Sequence, residues 1–99
     1  MTTWIVSRHP GAIEWLARRG FGAGHHVAHL DPARPAKGDT VVGTLPVPLI
    51  ARLTERGVDY LHLTIPVPAE RRGTELSADE LEHLGACLQR FAAKRIPVP

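Results

Sequence analysis

The sequence predicts one small α/β domain with a mostly parallel sheet covered by helices. Along the 99 residues, short apolar runs alternate with segments of helical periodicity, which is the pattern of strands joined by helices. The first run, Thr3 to Ser7, is apolar on both faces, as expected of a central parallel strand. This run leads through a polar corner directly into a helical segment, as expected of a strand followed by a helix.

The first helix is predicted from about Pro10 to Arg19. Pro10 suits the first helical turn, and Gly20 can adopt the left-handed conformation that ends a helix. A second strand is predicted from His26 to Leu30. The third strand runs from Thr40 to Gly43, after a proline-containing surface connection.

The second helix is predicted from about Pro46 to Arg56, with Gly57 as its stop. The fourth strand, Asp59 to Ile65, shows the clearest β pattern. Pro66 to Glu75 is too rich in proline and polar residues for regular structure.

The longest helix is predicted to begin at Ser77, because Ser77 and Glu80 have the spacing of a capping box. Apolar residues then recur at intervals of three and four up to about Lys94. They are Leu81, Leu84, Leu88 and Phe91.

Composition excludes several classes of protein. The formal charge is +2 without a basic tail, so general coating of duplex nucleic acid is a poor fit. The single cysteine, Cys87, excludes a disulfide scaffold and a thiolate zinc cluster, which fits a reducing cytoplasm. No secretion signal or membrane span is expected. A chain this short gains stability from association, so a dimer is a reasonable expectation.

The candidate site lies at the carboxyl ends of the strands, where ligands bind in open α/β sheets. Three loops meet there: Ser7 to Gly11, Gly43 to Pro46, and Pro66 to Thr74. Glycine at position 43 allows an anion to approach the backbone, and arginine forks match phosphate oxygens. The loops therefore predict a phosphate-ester pocket. Its polar side chains are Ser7, Arg8, His9, Thr44, Arg71 and Arg72.

Each candidate also has a purely structural interpretation. Ser7 and Thr44 can cap helices, and Arg71 with Arg72 can be a solvated charge pair. A metal site at His26 and His29 is disfavoured, because these positions point to opposite faces of a strand.

Five segments resemble the small stand-alone Csx-type accessory proteins of type III CRISPR systems. The resemblance covers nearly the whole length, and its first and third segments are the specific ones. The segments are Trp4 to Trp15, His29 to Asp31, Gly38 to Pro46, Tyr60 to Leu63, and Pro68 to Ser77.

The resemblance implies a CARF-like, Rossmann-like three-layer domain over residues 1–99 that forms a homodimer around cyclic tetra-adenylate. It also implies a ring nuclease that opens this messenger and so switches off type III CRISPR signalling. We expect the cleavage to need no metal or other cofactor and to leave 2′,3′-cyclic phosphate ends. The alternatives are a non-catalytic sponge or regulatory module for the same ligand, and an unrelated nucleotide-handling enzyme or regulatory partner subunit on the same architecture.

Catalytic roles follow from the residues rather than from the resemblance. Arg8 is the candidate for stabilising charge on the phosphate. His9 is the candidate for proton transfer, with stacking on adenine as the alternative, and Ser7 and Thr44 are the candidates for holding phosphate or ribose. Arg71 and Arg72 are expected to cover the ligand from their loop. The predicted ligand-binding set is Ser7, Arg8, His9, Gly43, Thr44, Leu45, Pro46, Arg71 and Arg72.

Overall fold

A computed structural model describes all 99 residues and contains one five-stranded sheet with helices on both faces. The strand order is β2-β1-β3-β4-β5, with β1 to β4 parallel and β5 antiparallel to β4. The predicted α/β class with a mostly parallel sheet is therefore confirmed, in a small Rossmann-like arrangement. The elements are β1 (Thr3–Val6), α1 (Pro10–Leu16), β2 (His25–Val27), β3 (Thr40–Gly43), α2 (Val47–Glu55), β4 (Asp59–Thr64), α3 (Ala78–Leu84) and β5 (Cys87–Phe91).

Alternation along β1 assigns its side chains to two separate apolar clusters. Ile5 packs on one face of the sheet with α1 and α3, whereas Trp4 and Val6 pack on the other face with α2. Trp15, which is 2% exposed, fills the α1 side of the first cluster. The sheet is thus the central layer of three.

Two glycines end helical segments as predicted. Gly20 has φ 95° and Gly57 has φ 74°, a region that side chains with a Cβ rarely adopt. α1 itself ends at Leu16, earlier than expected, and the chain continues through a wide turn over Ala17–Phe21 in which Gly20 leaves the helical conformation. The second strand also differs, since it pairs with β1 only over His25–Val27 and leaves His29 beyond its end.

The predicted last helix is wrong beyond its second turn. The capping box of Ser77 and Glu80 is present, but α3 has only seven residues and ends at Gly85 with φ 87°. The chain then forms β5, whose residue Leu88 pairs with Leu63 of β4. Without β5, β4 would expose an unpaired edge, and this tertiary hydrogen bonding overrides the helical spacing of the apolar residues.

The connection between β4 and α3 is irregular, as predicted, apart from one 3₁₀ turn at Ala69–Arg71. α2, with nine residues, is the longest of the three α-helices. None of them has the length and apolar character that crossing a bilayer requires.

Candidate functional site

A groove of about 440 Å³ lies at the carboxyl ends of β1 and β3. Its position follows from the topology, because neighbouring parallel strands deliver their following loops to the same edge of the sheet. The floor is apolar and the rim is polar. The groove is lined by Val6, Ser7, Arg8, His9, Ala12, Leu16, Ala28, His29, Leu30, Gly43, Thr44, Leu45, Pro46, Leu49, Leu63 and Ile65.

The structure brings together the first two of the three predicted loops. All the predicted residues from Ser7 to His9 and from Gly43 to Pro46 line this groove. Arg71 and Arg72 do not line it. Arg71 instead forms an ion pair with Glu80, the residue that closes the capping box of α3, and Arg72 is exposed on the same connection.

Arg8 carries the only permanent charge among the residues that line the groove. Arg18, Arg19 and Arg71 each form ion pairs, but the exposed Arg8 guanidinium has no acidic partner and no hydrogen bond. No aspartate or glutamate lines the groove, and two imidazoles, His9 and His29, do. The electrostatic potential of this surface therefore favours an anion.

The two candidate hydroxyls do not cap helices, so the capping interpretation is wrong. His9 and Pro46 occupy the N-cap positions of α1 and α2, and neither helix has a side-chain cap. The Ser7 hydroxyl oxygen accepts a hydrogen bond from the His9 backbone N–H at 3.2 Å. The Thr44 hydroxyl donates to the Leu63 carbonyl at 3.3 Å. Both hydroxyls thus remain on the wall of the groove.

Strand packing explains why position 43 is a glycine, and the sequence alone did not show this reason. Gly43 is buried and pairs with Val6 of β1. A Cβ at position 43 would lie 2.8 Å from the Val6 carbonyl oxygen and 3.2 Å from the Val6 Cβ. Close packing of β3 on β1 therefore requires glycine here even without a ligand.

Two polar side chains of the strands form hydrogen bonds to the backbone of the loops that line the groove. His26 Nε2 lies 2.8 Å from the Ser7 carbonyl oxygen and therefore donates to it. The Tyr60 hydroxyl lies 2.9 Å from the Leu45 N–H and 3.1 Å from the Gly43 carbonyl. Sequence reasoning missed both supports, although a tyrosine on the core-facing side of a strand is a signal that its hydroxyl has a partner.

His29 is the one lining residue with a polar side chain that the sequence analysis did not assign to the site. It lies beyond the end of β2, and β2 pairs directly with β1. This adjacency places His29 beside the loop that follows β1. No signal in the sequence indicated this placement, because His29 was predicted to lie within the second strand, which ends at Val27.

A smaller cavity of about 150 Å³ adjoins the groove and shares His9, Ala12 and Ile65 with it. Its other wall includes Thr74 and Glu75, from the connection that was predicted to cover the ligand. That connection thus borders the site through its carboxyl-terminal part rather than through its arginines.

Asp39 directly precedes β3 and therefore lies at the opposite end of the sheet from the groove. Its carboxylate accepts hydrogen bonds from the backbone N–H groups of Thr2 and Ala36 and from the Trp4 indole N–H. These bonds hold the pKa of Asp39 below its ordinary value, and the bond from the Thr2 N–H has the largest effect. No group of three histidine, cysteine or acidic side chains is arranged to hold a metal ion.

Comparison with protein families decides the relationship. A family model described as "Putative CRISPR-associated protein (Cas_VVA1548)" matches residues 4–94. The chain belongs to this CRISPR-associated family. The match covers every strand and helix of the fold except the first residue of β1. No curated protein and no solved structure gave a significant match.

Proposed function

We propose that this CRISPR-associated protein is a ring nuclease that binds and opens cyclic tetra-adenylate in a type III CRISPR system. The observation that carries the proposal is the groove at the ends of β1 and β3. It combines an unpaired arginine, two hydroxyls and two imidazoles with no carboxylate. A phosphodiester needs a cationic, hydrogen-bonding surface of this kind. The fold supports the further proposal that the protein is related to CARF domains.

The size of the groove supports a shared ligand. Its volume of about 440 Å³ lies in the lower half of the roughly 300–1,000 Å³ typical of pockets for drug-sized ligands. A ring of four nucleotides is larger than such a ligand, so one chain encloses only part of it. A homodimer with the ring on its two-fold axis gives each chain an equal share.

The proposed reaction needs no metal. A ribose 2′-hydroxyl attacks the adjacent phosphorus, the bond from phosphorus to the 5′ oxygen breaks, and a 2′,3′-cyclic phosphate and a 5′-hydroxyl result. The proton of the 2′-hydroxyl passes to a base, and the departing 5′ oxygen gains a proton. His9 supports this transfer because an imidazole can exchange protons near neutral pH. Arg8 stabilises the charge that grows on the non-bridging oxygens.

The hydrogen bonds of Ser7 and Thr44 indicate different roles for the two hydroxyls. The Ser7 oxygen accepts from the His9 N–H, so its own O–H remains available to donate to a phosphate oxygen. The Thr44 O–H already donates to the Leu63 carbonyl, so only the Thr44 oxygen is available, to accept from a ribose hydroxyl. We therefore assign Ser7 to phosphate and Thr44 to ribose.

Incubation with cyclic tetra-adenylate in EDTA, followed by chromatography, tests the proposal. The wild-type chain should give linear products with 2′,3′-cyclic phosphate ends. Arg8→Ala should lower the cleavage rate on the order of 10²-fold. Because Arg8 is exposed and has no partner, its thermal midpoint should stay close to that of the wild type.

Arg52→Ala is the matched control. Arg52 is an exposed arginine on α2 that forms no ion pair and lies outside the groove lining. If both variants lose the same activity, the effect comes from net charge and the assignment of Arg8 is wrong. Tight binding of an intact ring would identify a sponge, and the absence of binding would overturn the proposed ligand.

A further inference from the structure

The turn that follows β3 is held by one buried phenol. Tyr60 of β4 is 1% exposed, and its hydroxyl contacts both ends of the turn. It accepts a hydrogen bond from the Leu45 N–H at 2.9 Å and lies 3.1 Å from the Gly43 carbonyl oxygen. Both contacted residues line the groove. The conformation of this wall therefore depends on where the phenol directs its single proton.

A third polar atom competes for that proton. His62 Nδ1 lies 2.6 Å from the Tyr60 oxygen. A phenol donates one hydrogen bond, so it cannot donate to the Gly43 carbonyl and to Nδ1 together. When Nδ1 carries a proton, it donates to the phenol, and the phenol donates to Gly43. When Nδ1 is an unprotonated acceptor, the phenol turns to it and the Gly43 carbonyl loses the hydrogen bond from the phenol.

We propose that Tyr60 is a positioning residue of the groove and that protonation of His62 sets the direction of its hydrogen bond. This inference rests on the proposed function in one respect, because it assigns a regulation to the groove in which the nucleotide is proposed to bind. Protonated His62 stabilises the Gly43–Leu45 turn at both ends. Deprotonation to the Nε2–H tautomer makes Nδ1 an acceptor and releases the end at Gly43, so ligand affinity falls as the pH rises.

The surroundings of His62 isolate this proton from other charges. The half-buried imidazole faces a cavity between α2 and β5 whose other lining residues are all uncharged. From β5, Phe91 presents a ring 5.8 Å away, centroid to centroid, and Gln89 pairs with His62 in register. The remaining lining residues are Leu45, Val47, Ile50, Thr64, Ala92 and Ala93.

The charged residues of the packed elements point elsewhere. Arg90 of β5 forms an ion pair with Asp59 of β4, and Glu55 of α2 forms one with Arg95. Arg52 of α2 does not line the cavity. Burial raises the pKa of the Tyr60 phenol, so Tyr60 keeps its proton and remains a donor across the neutral range.

Amide chemical shifts of the full chain, without ligand, test the coupling between pH 5 and 8. In the wild type, the Leu45 amide should titrate with the same midpoint as the His62 ring. In His62→Leu, the phenol has only Gly43 as acceptor, so the Leu45 shift should not change over this range. His83→Gln, an exposed position on α3, should retain the wild-type titration.

Tyr60→Phe removes the connection itself, and the Leu45 titration should disappear. If this variant does not fold, the His62→Leu result decides alone. A Leu45 amide that does not follow His62 in the wild type, or that still titrates in His62→Leu, overturns the proposal.

Binding of cyclic tetra-adenylate, measured calorimetrically at pH 5.5 and 8, tests the consequence for the site. The wild type should lose about fivefold more affinity between these pH values than His62→Leu, the effect of about one hydrogen bond. His9 is present in both proteins, so the difference isolates His62. Equal pH dependence in the two proteins overturns the regulation. If no binding occurs at either pH, the proposed function fails, whereas the amide titration still decides the connection.

Discussion

Replacing Gly43 by alanine tests whether sheet packing, rather than a ligand, requires the glycine. The new Cβ would lie 2.8 Å from the Val6 carbonyl oxygen. This oxygen belongs to the backbone of the paired strand, so no side-chain rotation relieves the contact. β1 and β3 must separate locally, and overpacking of this kind costs about 1–3 kcal/mol.

Gly22→Ala provides the matched control. Gly22 has φ −64° and ψ −24°, and a Cβ there would lie 3.5 Å from the Ala17 Cβ, an ordinary contact. Both substitutions restrict the unfolded chain equally, which stabilises each variant by about 0.4–1 kcal/mol. That gain cancels between them, so their difference in the free energy of unfolding isolates the steric cost at Gly43.

Urea unfolding at 25 °C, followed by the fluorescence of the buried Trp4 and Trp15, measures this difference. We expect Gly43→Ala to be less stable than Gly22→Ala by about 1–3 kcal/mol. For a chain of this size, each kcal/mol corresponds to a change in Tm of about 4–8 °C. Equal stability of the two variants, within about 0.5 kcal/mol, would refute the packing argument and leave ligand approach as the reason for Gly43.

Two further predictions concern stability alone. The pKa of Asp39 is lower in the folded chain than its ordinary value of 3.8, so its contribution is present above that pH and is lost as the pH falls through the folded value. Asp39→Asn should therefore flatten the acid branch of the stability curve, measured as Tm from pH 6 to 2, and an unchanged branch would contradict this role. Ser77→Ala removes the side chain that accepts from the Glu80 N–H and should cost about 0.5–2 kcal/mol in urea unfolding. A loss below this range would show that Glu80 alone sustains the start of α3.

Local signals determined much of the fold from the sequence. Gly20 and Gly57 end helical segments because a left-handed conformation suits glycine, and Ser77 starts α3 through a bond to a residue three positions away. Such features depend on neighbours in the chain, so the sequence shows them directly. The order of strands and helices likewise placed Ser7 to His9 and Gly43 to Pro46 at one edge of the sheet.

The tertiary structure decided what depends on distant partners. Leu81 of α3 and Leu88 of β5 pack on the same apolar cluster, so their spacing could not distinguish a long helix from a helix followed by a strand. Hydrogen bonding to the otherwise unpaired edge of β4 selected the helix followed by a strand. In the same way, Glu80 binds Arg71 away from the groove, and the pairing of β2 with β1 adds His29 to it. The sequence by itself determined where local backbone geometry changes, whereas long-range pairing decided which side chains share the groove.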